Sequence, residues 1–425
     1  MLTPEYLLHI SEGAEEIAEQ LHEDIISRII ERIMHRIGRG DDYILTAQDK
    51  WQIEVLQDAG YLLEDIQREI ALKTILQEME IKAAMEDAGV QALQYDDEIY
   101  RAAGLSPAPL KQSPYLIRLM QRNYEATLGE WKNFTRTTAN VSQQTFIQAL
   151  DKAYTLTASG TVSYTQAVKE AIDEVANKGV EVVYENPETG KVRKDTIETA
   201  TLRAVRTGIS QATAQIQIAR MKEMGAALAL TSSHMGARPT HEAWQGQVFY
   251  IDWQKMKEIY PLSELPAPAI NDAELKTKYP DFVESTGIGK VDGLSGVNCR
   301  HSFGVFYEGQ ENPFEHFDSE ENQKAYELSQ RQRALERRIR KTKREVMAWK
   351  AAVDNAEDER VKFENDLVYQ RKAFLLQKQN QEYNDFCTQN GLKRLSDRIQ
   401  IAKWDRKQAA AAQGAVKRYE SAKKL

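Results

Sequence analysis

The side chains best equipped for chemistry fall in two short pieces of this chain. The first is Thr231-Ser-Ser-His-Met-Gly-Ala-Arg-Pro-Thr-His-Glu-Ala-Trp-Gln-Gly246. The second is Gly287-Ile-Gly-Lys-Val-Asp-Gly-Leu-Ser-Gly-Val-Asn-Cys-Arg-His-Ser-Phe303. Together they hold His234, His241 and His301 of the seven histidines and Cys299 of the two cysteines, with Arg238, Arg300 and Trp244 among several glycines. Polar groups of several kinds set among turn residues are what a site needs when loops bring distant side chains together.

One Cys and three His are an acceptable ligand set for tetrahedral zinc, but the spacing is not that of a zinc finger. Cys299-x-His301 would point its two side chains apart on an extended strand, so both can bind one ion only if a turn intervenes. The competing reading is that His234, His241, Cys299 and His301 make hydrogen bonds that fix two irregular loops against each other, and no cofactor is then required. A catalytic reading would use His301 or His241 to activate water and Asn298 to orient it, as in a metal-dependent nuclease or hydrolase. Paired carboxylates are missing, since only Glu242 and Asp292 lie in the two pieces. The residues therefore favour a protein that is not an enzyme. Arg238 and Arg300 suit a phosphate or carboxylate, and equally the carbonyls at loop ends. Trp244 reads as core.

The elements that must position these loops are mostly helical. At 425 residues the chain can bury two or three cores, and its composition, 42% hydrophobic and 28% charged, is rich in helix formers. No run of eighteen apolar residues suggests a membrane span. The opening Met1-Leu-Thr-Pro-Glu-Tyr does not read as a secretion signal, and two cysteines make no disulfide framework. Net charge is −8, unevenly spread: residues 1–317 carry 31 Lys/Arg against 47 Asp/Glu, and 318–425 carry 25 against 17, hence −16 and +8.

Three regions follow. Residues 1–112 form an acidic helical region. Ile17, Leu21, Ile25, Ile29, Ile30, Ile33 and Ile37 make one apolar face, and a second helix over 46–88 carries Ile53, Leu56, Leu63, Ile66 and Ile70 as its stripe. Three prolines over 107–114 break the pattern. Residues 113–317 form a central α+β module. It has helices over 114–137 and 142–158, with Trp131 and Phe134 as core. A hairpin follows at 180–194, turning through Glu185-Asn-Pro-Glu-Thr-Gly190, and then a helix over 195–224. A buried strand over 226–231 leads into the first piece, a Pro-rich and charged excursion over 253–283 carries one short helix at 272–278, and a closing strand lies at 305–307. Residues 318–425 form a basic helical tail, uninterrupted over 320–384, with a last helix beginning at Leu395; an extended helix or coiled coil is the natural reading. The fold class is α+β, predominantly α-helical.

Within that tail Arg331, Arg333, Arg337, Arg338, Arg340, Lys341, Lys343 and Arg344 place eight bases in fourteen residues around Leu335 and Ile339. Such a run is either a solvated face or a contact to an anion. Without interleaved aromatics, binding to DNA would be blind to sequence.

The two pieces, with Tyr326 and Gln332-Arg-Ala-Leu-Glu-Arg-Arg-Ile-Arg340, resemble the minor capsid protein 2 family of tailed bacteriophages. The central module is similar to the Mu F-type head morphogenesis domain. The resemblance covers most of the chain, and its signature falls on His234, Arg238, Pro239, His241, Trp244, Gly246, Asn298, Cys299, Arg300 and His301. Ser295 stands where a cysteine is common, and Gly304-Val305 replaces a Tyr-Pro-like pair. The resemblance implies a structural virion component near the portal vertex, acting in head morphogenesis or DNA passage, with portal and capsid proteins as partners and no established enzymatic activity. It also implies a place in the phage head, assembled in the host cytoplasm.

Overall fold

The computed structural model describes residues 1–185, 190–260, 262, 265 and 273–423. Helix dominates. Thr3 accepts a hydrogen bond from the Tyr6 amide and caps α1 (Pro4–His9), whose proline occupies the first turn, where no donor is needed. Then come α2 (Glu12–Ile37), α3 (Gln48–Ala102) and α4 (Pro114–Ala158). Next is α5 (Tyr164–Lys178), capped by Ser163 and closed by Gly179 at φ 68. A hairpin of β1 (Glu181–Glu185) and β2 (Val192–Thr196) leads into α6 (Ile197–Glu223). The central run continues through β3 (Leu228–Thr231), α7 (Pro239–Glu242), β4 (Val248–Tyr250), α8 (Trp253–Ile259), α9 (Ala273–Lys278), α10 (Phe282–Thr286) and β5 (Phe303–Phe306). The tail holds α11 (Ser319–Asp354), α12 (Glu359–Gln389) and α13 (Arg406–Ala422). The α+β class with a large excess of helix is the one the sequence indicates. No helix among the described residues is long and apolar enough to cross a membrane.

Several elements differ from the sequence reading, each for a local reason. The second N-terminal helix runs on to Ala102. Over residues 48–70 its buried apolar residues are Trp51, Val55, Ala59, Leu62 and Ile66; of the expected stripe Ile66 is thus buried and Leu63 and Ile70 half-buried, while Ile53 and Leu56 face outward. The two helices expected over 114–158 are one. Thr137 and Thr145 turn their hydroxyls back onto the carbonyls of Phe134 and Val141, which keeps β-branched residues inside a helix. The tail helix is interrupted at residues 355–358. There Asp358 caps α12 by accepting from the Arg360 and Val361 amides, and the Glu357 and Asp358 amides both donate to the Gly38 carbonyl. The last helix starts at Arg406, capped by Asp405, with only a short 3-10 turn at Asp397–Ile399 before it. Strand β4 has no signal in the sequence, because three residues carry no period. The hairpin pairs as expected, Glu181 opposite Thr196, but residues 186–189 of its turn lie outside the described residues, as does Asp272 at the start of the short helix expected over 272–278.

The chain forms two compact units. The first comprises Met1–Glu15, Leu76–Trp131 and Thr201–Ser329, and the second Glu16–Ile75, Lys132–Ala200 and Gln330–Leu425. Each draws on all three regions of the sequence.

The first unit is built around an antiparallel sheet in the order β4-β3-β5, with Thr231 opposite Phe303 and Leu230 opposite Val248. Leu93, Tyr100, Leu119, Ile216, Phe249 and Phe303 share its core. Two buried polar groups fix β5 in place. The Asp96 carboxylate accepts from the Val305 amide at 3.2 Å, and the Gln217 amide donates to the Phe303 carbonyl at 2.6 Å and to Asp96 at 3.1 Å. Burial pushes the Asp96 carboxyl up to about 6, against the pull of these donors. A Cβ on Gly304 would lie 2.7 Å from the Asp96 oxygen, so the close approach of α3 to this strand requires glycine there.

The second unit buries the isoleucine face of α2, including Ile25, Ile29, Ile30, Ile33 and Ile37, as the spacing predicts. Trp51 of α3 stacks on Tyr154 of α4 at 5.0 Å, and Phe374 of α12 meets Tyr419 of α13 at 5.0 Å.

Candidate functional site

Both signature pieces lie at one end of the three-stranded sheet, and the register explains why. Thr231 ends β3 opposite Phe303, which begins β5, so the loop leaving β3 and the loop entering β5 must meet. They are stitched by backbone: the Ser232 amide donates to the Ser302 carbonyl at 2.8 Å, and the Ser302 amide donates to the Ser232 hydroxyl at 2.9 Å. The Thr231 hydroxyl closes the first loop by donating to the Trp244 carbonyl at 2.8 Å. Gly246, at φ 68, lets the chain turn back into β4.

Three of the four candidate ligands converge. His241 sits on the short helix α7, which Pro239 starts, while Cys299 and His301 lie on the loop entering β5. The Nδ1 atoms of His241 and His301 are 3.3 Å apart, and Cys299 Sγ lies 3.7 Å from the first and 3.8 Å from the second. Residues 299–302 are not in a strand, and the His301 amide donates to Cys299 Sγ at 3.4 Å, so the two side chains converge; the loop just ahead of them turns at Ser295, φ 60, and Asn298, φ 56, left-handed positions of which asparagine is one of the few tolerant occupants. The thiol and both imidazoles are buried, at 2%, 1% and 1% exposure. Trp244 covers both rings, 4.6 Å from His241 and 4.8 Å from His301. His234 does not join the cluster of possible ligand atoms. Its ring stacks on His301 at 4.4 Å, and its Nδ1 faces the Met235 carbonyl.

Burial dominates the electrostatics. It draws His234 and His241 down to about 4 and His301 well below its ordinary value, with Arg300 adding to the effect at His234 and His301. It pushes the Cys299 thiol up. The imidazoles are therefore neutral at neutral pH. The two arginines serve the loops: Arg238 donates to the Val297 carbonyl at 2.8 Å, and an Arg300 nitrogen lies 3.5 Å from His234 Nδ1. Asn298 is exposed, which separates it from the buried imidazoles of the nuclease reading.

Two residues that sequence reasoning passed over hold the site together. Gln245 Oε1 accepts from the His234 amide at 3.0 Å and faces His301 Nε2 at 3.1 Å. Asn322 of α11 is fully buried; it accepts from the Gly236 and Ala237 amides at 2.8 and 3.0 Å and donates to the Ala237 carbonyl and Glu242. Gln245 stood inside the first piece as a polar neighbour of Trp244. Asn322 carried no signal, because nothing in α11's sequence points to the distant loop it serves.

The basic run of α11 divides by burial. Arg331, Arg337, Arg338 and Lys341 are exposed, Arg338 pairing with Glu382. Arg333 and Arg340 are half-buried, and Arg340 donates to the Arg398 carbonyl. Lys343 is buried, donating to the Ile399 carbonyl at 2.7 Å with its ammonium 5.3 Å from the Trp404 ring centre. Arg344 pairs with Glu198 at 2.7 Å, Glu23 at 3.0 Å and Glu19 at 3.5 Å. Of the eight, these last two are committed inside the fold.

In comparison with known proteins, the model of the family described as phage minor capsid protein 2 matches residues 2–386. No curated protein and no solved structure matches the chain.

Proposed function

Because the chain belongs to the phage minor capsid protein 2 family, and is thus a structural protein of the phage head, we propose that it sits at or near the portal vertex and acts in head morphogenesis. The family match over residues 2–386 carries this reading, because it takes in both signature pieces and most of the helical tail. Its partners are portal and capsid proteins. Exposed apolar side chains on α3, among them Ile53 at 58%, Leu56 at 61% and Ile75 at 59%, are costly in a free protein and suit a protein partner. The surplus of acids over 1–112 turns that contact away from DNA. On α11, Arg331, Arg337, Arg338 and Lys341 are the side chains available for sequence-blind contact with packaged or passing DNA. Assembly takes place in the host cytoplasm, and the protein is a component of the virion.

The reading as a nuclease or hydrolase has less support. A phosphodiester cannot reach His241 or His301, each 1% exposed behind Trp244, unless the loops open. The deciding experiment is localisation: heads carrying a tagged copy are imaged by electron microscopy. Label at one vertex, in a few copies per head, is expected. Label distributed over the whole shell would refute the portal-proximal placement, and normal heads in a phage lacking the gene would refute a role in morphogenesis.

A further inference from the structure

We propose that His241, Cys299 and His301 form a structural zinc site that clips the two signature loops together.

The first support is hydrogen bonding. His241 Nε2 lies 2.7 Å from the Asp292 carbonyl oxygen, which can only accept, so this nitrogen carries the proton. His301 Nε2 faces Gln245 Oε1 at 3.1 Å. That oxygen also accepts from the His234 amide, which fixes the orientation of the Gln245 amide group and makes His301 Nε2 a donor as well. With Nε2 the donor in each ring, Nδ1 is the nitrogen left to bind a metal, and the two Nδ1 atoms point at each other across 3.3 Å in a buried space. The one proton of the Cys299 thiol can answer only one of them. A cation between the three atoms answers both.

The second support is shape. Tetrahedral zinc with bonds of about 2.0–2.1 Å to nitrogen and about 2.3 Å to sulfur places its ligand nitrogens roughly 3.3 Å apart and nitrogen and sulfur roughly 3.6 Å apart. The triangle in the fold has edges of 3.3, 3.7 and 3.8 Å. The surroundings are also those of a metal site. Each imidazole donates its remote N–H to a protein oxygen, and the His301 amide donates to Cys299 Sγ at 3.4 Å, which favours the thiolate. On binding, the thiol loses its proton to solvent and the sulfur becomes a thiolate ligand. No further His, Cys, Asp or Glu atom joins the group among the described residues, so the protein supplies three of the four corners of a tetrahedron. Two nitrogens and a thiolate select a borderline ion such as zinc over calcium or magnesium. With all three ligands buried, its role is to hold α7 to the loop entering β5.

The test uses the full chain, produced in zinc-supplemented medium and dialysed without chelator. Elemental analysis should give one zinc per chain. Exchange for cobalt(II) should produce the intense visible bands of a tetrahedral ion, with a thiolate charge-transfer band in the near ultraviolet. Cys299→Ser should abolish that charge-transfer band. Gln245→Ala, which removes only the partner of a ligand, should weaken zinc binding about 10–100-fold, as the loss of such partners does elsewhere. If Cys299→Ser fails to fold, the cobalt spectrum of the unaltered chain decides alone. Folded protein that holds well under one zinc per chain and gives no tetrahedral cobalt spectrum would overturn the proposal.

Discussion

Two buried polar clusters, one in each compact unit, show opposite ways of using expensive groups. In the first unit, neutral imidazoles and a thiol from two neighbouring loops face one another around Trp244. In the second, Arg344 is surrounded by Glu19, Glu23 and Glu198, and His22 lies 2.8 Å from Glu198. The Val180 amide donates to His22 Nε2, so the ring's other nitrogen carries the proton toward Glu198. Burial pushes the Glu198 carboxyl up, but Arg344 and then His22 hold it well below the usual carboxylate range. The loop cluster is a local consequence of strand register. The charge cluster gathers α2, α6 and α11, distant in sequence, through helix packing alone. A motif announces the first and nothing announces the second.

The comparison breaks most readily at Arg344. Arg344→Met strands three carboxylates without their cation and should cost about 3–5 kcal/mol, read as a lower denaturation midpoint. Arg338→Gln, six residues earlier on the same helix, breaks only an exposed pair with Glu382 and should cost under about 0.5 kcal/mol. Equal costs for the two would show that the cluster is not a hub. Its pH dependence has a definite sign. Because the folded Glu198 carboxyl lies below its ordinary value of 4.5, its contribution is present above that pH and is lost as pH falls below it. The gap in stability between the unaltered chain and Arg344→Met should therefore narrow in acid. A gap that widens in acid would contradict the assignment.

On the loop side, Trp244→Ala removes the cover of both imidazoles and should cost about 3 kcal/mol in thermal or denaturant melting. A variant that melts normally but no longer assembles heads would identify Trp244 as a contact residue instead. Asn322→Ala leaves two buried amides without an acceptor and should cost about 2 kcal/mol. Combining Arg337→Gln, Arg338→Gln and Lys341→Gln should change stability little, by under about 1 kcal/mol. The same triple change should weaken DNA binding by the full chain and flatten its dependence on salt, by roughly 0.9 in logarithmic slope for each phosphate that is no longer neutralised. Unaltered protein that binds no DNA at low salt would assign these bases to a protein partner.

What the sequence made legible follows the same division. Strands β3 and β5, the hairpin, the isoleucine face of α2 and the cores at Trp131 and Phe134 all come from short-range pattern, and pattern found them. So did the gathering of chemically capable residues into two pieces. Pattern could not tell which side of α3 faces in, because Trp51, Val55 and Leu62 compete with Ile53, Leu56 and Leu63 for the same period. Nor could it see the break at residues 355–358, which depends on two amides finding the Gly38 carbonyl more than three hundred residues earlier. At the site it missed Asn322 for the same reason. It also left open whether Cys299 and His301 point apart or together, which depends on the irregular backbone over 299–302.

The clamp on β5 has a consequence for how this protein meets its neighbours. Asp96 and Gln217 occupy the Val305 amide and the Phe303 carbonyl on the outer side of that strand. On the opposite border of the sheet, the Tyr250 amide donates to the Pro280 carbonyl, and Tyr250 bridges to Asp281. Among the described residues, these contacts engage backbone groups on both borders of the sheet that could otherwise recruit a strand from another chain. A strand from another chain would find much of its pairing on this sheet already taken.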